Sequence, residues 1–156
     1  MRRIVLGLAV LLVCVAAFAQ QPLNVWFKLP STIPSNGMVS GTTNLPDGTL
    51  LSLSLAGPSG SQFNRENCCY DAVVAVSHGA FGPVMITHAP APPGAYKILI
   101  VMRDWMLQPP NVVAVIGKNG ANLTGPYLNP AKTFFDNGIQ ASIPVSVRDA
   151  NMGWPH

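Results

Sequence analysis

Two cysteines stand side by side at Cys68-Cys69, and no other residues in the chain are so suggestive of chemistry. Neighbouring side chains point to opposite sides of a strand. Their Cα atoms lie about 3.8 Å apart, below the roughly 4.4–6.8 Å of an ordinary disulfide. In an oxidising compartment three states are open to the pair: a vicinal disulfide in a strained small ring, two thiols, or pairing between chains. The vicinal Cys68–Cys69 bond is the expectation carried forward, in a structural role, with a thiol-based redox protein using Cys68 and Cys69 as the lesser alternative. A metal centre would need soft or imidazole ligands that converge. Only His78 and His88 stand mid-chain with the cysteines, and their spacing fits no zinc pattern. No metal ligands and no cofactor are expected.

Nucleophilic catalysis needs a serine or cysteine with a base and an orienting carboxylate. The serines fall in turns or on alternating strand positions, and no G-x-S-x-G elbow occurs. The acidic residues are Asp47, Glu66, Asp71, Asp104, Asp136 and Asp149. Asp47 belongs to a turn, while Glu66 and Asp71 flank the cysteines, so no carboxylate pair stands out for glycoside chemistry. No catalytic residue is expected. Binding has a better candidate in Trp105-Met106-Leu107, a large apolar triplet between strands, followed by Gln108-Pro109-Pro110. Exposed, the triplet would form an interaction patch of the kind that anchors protein contacts.

The elements that must position these residues begin after a leader. Arg2-Arg3, the apolar run Ile4 to Phe18 and the Ala17-Phe18-Ala19 site before Gln20 describe a secretory signal peptide over residues 1–19. The run is short of the roughly 20 residues that a spanning helix needs, so no integral membrane span is expected after cleavage. Residues 20–156 then form one domain, exported to the periplasm or beyond the cell. Arg2 and Arg3 leave with the leader, and seven basic groups face six acidic ones. No basic stripe remains for nucleic acid. The expected partner is an unidentified protein or envelope component.

In the mature chain, short strands alternate with turns. Candidates are Leu23 to Leu29, Met38 to Thr43, a run from Leu51, Ala72 to Ser77, Ala80 to Thr87, Ala95 to Met102, Asn111 to Ile116 and Ala141 to Val147. Leu51, Leu53 and Leu55 alternate with Ser52 and Ser54, which is the period of a strand with one buried face. Tyr96, Ile98 and Ile100 alternate with Leu99 and Val101, so that strand should be central and covered on both sides. His78-Gly79 fits a two-residue hairpin. Pro144 makes the last strand an edge or a bulged one and argues against strand addition there, leaving Leu23 to Leu29 as a candidate free edge. Residues 118–140 look irregular and 148–156 a loose tail. No segment shows a helical period. Seven to eight such strands predict an all-β, immunoglobulin-like antiparallel sandwich.

The turn Asn44-Leu45-Pro46-Asp47-Gly48-Thr49 has strong turn chemistry: proline presets φ, aspartate bonds its own backbone, and glycine accepts positive φ. Val39 through Thr49, followed later by Pro92-Pro93-Gly94-Ala95-Tyr96, resembles exported bacterial immunoglobulin-like β-sandwich proteins. More narrowly it is similar to secreted proteins with a G-T-x-N-L-P-D-G-T turn, where a later P-P-G-x-Y opens a core strand. The likeness spans residues 23–117 in outline, and its specific part is about a dozen residues. It implies fold and compartment, and no catalytic residue.

Overall fold

A computed structural model describes residues 21–57, 72–128 and 138–149. Among these residues ten strands run in chain order: β1 Leu23–Asn24, β2 Phe27–Lys28, β3 Thr32–Pro34, β4 Met38–Thr43, β5 Leu50–Ala56, β6 Ala72–Ala75, β7 Ala80–Met85, β8 Gly94–Met102, β9 Leu123–Thr124 and β10 Gln140–Arg148. One short helix, α1 (Pro110–Ile116), and two 3-10 turns, Trp105–Leu107 and Lys118–Gly120, lie between β8 and β9. A five-stranded sheet has the order β3-β10-β8-β5-β6 and a three-stranded sheet the order β2-β4-β7, with β1 and β9 forming a small parallel pair.

The two larger sheets share one apolar core. Leu51, Leu53 and Leu55 of β5 and Tyr96, Ile98 and Ile100 of β8 are all at most 5% exposed. They join Phe27, Val39 and Phe81 from the other sheet in a single cluster, and Phe27 meets Phe81 edge to face at 6.3 Å. The protein is therefore a β-sandwich. Its connections are of the immunoglobulin kind, with successive strands distributed between two sheets. Tyr96, near the start of β8, donates its hydroxyl to the Pro92 carbonyl at 2.9 Å. That is the tyrosine corner such sandwiches carry at this strand.

Met38–Thr43, the strand from Leu51 and the strand ending at Met102 stand where their patterns place them. The His78-Gly79 turn also forms: both residues have positive φ, 51° and 72°, as a type I′ turn requires. Ser77 bridges Ala80 across it. Beyond this tip the two arms separate, β6 to the five-stranded sheet and β7 to the three-stranded one.

Several expectations need correction. Asn111 to Ile116 is helical, not extended. The β-branched run Val112, Val113, Val115 and Ile116 suggests a strand, but Pro110 in the first turn presets a helical φ. Val112 and Ile116, four apart, then bury fully against the core. Gly117, at φ 76°, ends the helix. Leu23 to Leu29 is not one strand. It divides into β1, paired with β9, and β2, paired with β4. Pro30 breaks it before β3, which joins β10 in parallel. β2 is an outer strand but only two residues long. β10 is flanked by β8 from Gln140 to Val147 and by β3 only at Ser146–Arg148. The backbone N–H groups of Gln140 and Ser146 point away from β8, to Tyr127 O and Ser31 O. By alternation Pro144 faces that same side, just before β3 begins, so its missing donor costs the β8 ladder nothing. The strand is thus an edge in its first half and interior in its second. Residues 118–128 contain a 3-10 turn and β9; residues 129–137, 150–156 and the leader lie outside the described residues.

Candidate interaction groove

The Asn44–Thr49 turn closes through Thr49, whose N–H and Oγ1 both donate to Pro46 O. Gly48 takes φ 89°, which favours glycine. Asn44 does more than turn the chain. Its Oδ1 accepts from Trp26 N–H and its Nδ2 donates to Asn24 O, so one side chain bridges the gap between β1 and β2. Asn111 Nδ2 donates to Asp47 O and ties the turn to α1. The motif is thereby a structural junction. Its Asp47 is exposed.

At the end of β8 the chain forms the 3-10 turn Trp105–Leu107. Asp104 caps it by accepting from Met106 N–H at 2.9 Å. Gln108 fixes the far side. Although its type is usually exposed, it is only 6% exposed here. Its Oε1 accepts from Leu50 N–H at 2.8 Å, and its Nε2 donates to Leu50 O and Arg103 O at 3.0 and 2.8 Å. The amide thus acts as an added rung beside β5 and locks the turn to the sheet. Of the sequence triplet, Met106 and Leu107 are held outward at 66% and 53% exposed. Trp105 is half-buried, with Lys118 Nζ 5.1 Å from its ring centroid in a cation–π contact.

Met106 and Leu107 border a groove of about 480 Å³ on the outer face of the five-stranded sheet. Its floor is Ser52 and Ser54 of β5 with Val101 of β8, and Arg103 and Asp104 complete the rim. Ser52 pairs with Val101 and with Val73 on either side. It was expected on a solvent face, yet it is only 8% exposed. Its Oγ makes no hydrogen bond among the described residues. Leu99 and Val101 are half-buried, so the outer face of β8 is only partly covered. The groove combines an apolar lining with a buried hydroxyl that lacks a partner among the described residues, and its volume lies in the ordinary range for ligand sites. Gln108 and Ser52 escape a reading of sequence alone. Only the glutamine before Pro109-Pro110 hints at an anchored turn.

Among the described residues the other sequence candidates do not gather. His78 sits at the hairpin tip, with Ser77 Oγ 3.0 Å from its Nδ1. His88 is exposed in the loop before Pro90. Cys68 and Cys69 lie outside the described residues. Among the described residues no three of His, Cys, Asp and Glu are placed to hold a metal, and no helix is long and apolar enough to cross a membrane.

No family model and no curated protein matches this sequence. Among solved structures the chain is similar to the CARDB domain of a Pyrococcus furiosus protein, crystallised in complex with di-metal ions. The two share 14% identity over 84% of this chain and 91% of the other, at a TM-score of 0.34. At that score the likeness adds nothing to the strand order described above.

Proposed function

We propose that this chain is an exported, non-catalytic β-sandwich module that binds a protein of the envelope or cell exterior through the Met106–Leu107 groove. The observation that carries this reading is the rim: two large apolar side chains are held in solvent by a buried, triply bonded Gln108. Apolar side chains gain by burial, and a rigid turn presents them without a large ordering cost. The complementary partner would offer an apolar segment. The basic-apolar-small leader supports export. Arg103 and Asp104 at the rim would set orientation more than affinity.

A photo-crosslinking amino acid at Leu107, in the full chain expressed in cells that make the protein, tests this. One discrete crosslinked band at Leu107, absent when the probe sits at Ser40 on the opposite sheet, is the expected result. No band, or equal bands at both positions, would overturn the reading.

A second reading, an accessory subunit joined by strand addition, is favoured by β6. This strand ends the five-stranded sheet, carries neither charge nor proline, and leaves Val73 50% exposed. The N–H of Val76 turns inward to Thr49 O, so by alternation that of Ala75 faces the open edge, and an Ala75→Pro variant would block strand addition and leave the groove contact intact.

A further inference from the structure

On the outer face of the three-stranded sheet, far along the chain from the groove's residues, Met38 of β4 stands directly opposite Met85 of β7. The backbone decides how close they come. Ile86 N–H donates to Gly37 O at 3.0 Å, while Met38 N–H turns to the Asn36 side chain instead of crossing to β7. The 38/85 pair is therefore the non-hydrogen-bonded kind, in which Cα atoms approach to about 4.5 Å and side chains lie closest. Val39, the next residue, is 1% exposed, whereas Met38 and Met85 are 37% and 47% exposed, so both thioethers leave the sheet on the same side. Unbranched methionine side chains rooted this close can bring two sulfurs to one ion, since metal–sulfur bonds are about 2.3 Å long. Thioethers are soft and uncharged. They select a soft cation over calcium or magnesium.

We propose that Met38 and Met85 form a two-sulfur site for a soft monovalent cation of the Cu(I) class, with water or a small ligand completing its coordination. Because a thioether holds no titratable proton, binding should persist under mildly acidic conditions that protonate histidine or thiolate ligands.

The test is methionine-methyl NMR on the whole protein, labelled with carbon-13 and titrated with Ag(I) as the probe. The protein is first reduced and Cys68 and Cys69 are alkylated with iodoacetamide at mildly alkaline pH, where thiolates react in preference to methionine. The methyl signals of Met38 and Met85 should shift together and saturate at a single Ag(I) per chain, at neutral and at mildly acidic pH, while Met106 stays still. Met38→Leu should abolish the response of Met85, and Met85→Leu that of Met38. The site is refuted if the two signals do not move, if each moves independently of the other, or if the more exposed Met106 shifts in step with them.

Discussion

Ser52 and Gln108 are both polar, both nearly buried and both next to the groove, yet they should respond oppositely to truncation. Gln108→Ala strips its side-chain partner from Leu50 N–H and removes one bond from Arg103 O, while Leu50 O keeps the bond from Arg103 N–H. An unsatisfied buried group costs about 1–3 kcal/mol, so the variant should lose stability of about that size and release the Met106–Leu107 turn. Ser52 Oγ has no partner among the described residues, so Ser52→Ala should be neutral or slightly stabilising. Leu53→Ala, one residue on and fully buried, should cost about 2–5 kcal/mol. Urea unfolding of the three variants distinguishes these outcomes. A large loss at Ser52 would mean that its hydroxyl is engaged in the folded chain.

At the scale of elements, the hairpin between β6 and β7 holds a local conflict. His78 occupies a left-handed conformation that a type I′ turn assigns to asparagine or glycine. His78→Asn should therefore stabilise by up to about 1 kcal/mol, and Gly79→Ala should destabilise by a similar amount, because alanine resists positive φ. Thermal melting of both variants would show shifts of opposite sign; shifts of the same sign would contradict the turn assignment. This hairpin was legible because its signal is local. So were β4, β5 and β8, whose alternate apolar positions supply the core, although Ser52 on the other face of β5 is nearly buried as well. α1 was not, because valine and isoleucine favour strands and only the packing of Val112 and Ile116 settles the matter. The division of Leu23 to Leu29 was hidden for a related reason: it depends on Asn44, about twenty residues away, bridging Asn24 and Trp26. The apolar triplet was visible by type. That Met106 and Leu107 face solvent while Trp105 turns to Lys118 depends on Gln108 reaching back to Leu50, a contact across 58 residues.

The whole molecule is a small sandwich whose two outer faces differ, one bearing the groove and the other the methionine pair. Export would place both in contact with what lies beyond the inner membrane. The exported protein should begin at Gln20, and its intact mass, taken without reduction, should lack two hydrogens if Cys68 and Cys69 are joined. Retention of the leader would refute the processing, and two freely alkylated thiols would refute the vicinal bond. The binding role itself is tested most directly by comparing the wild-type protein with a Met106→Ser, Leu107→Ser double variant in capture from the cells that make it. Both side chains are largely exposed, so the variant should keep its stability to within about 0.5 kcal/mol. The account predicts that a partner crosslinked and recovered with the wild type is lost from this equally stable variant. Equal recovery by both proteins would contradict it.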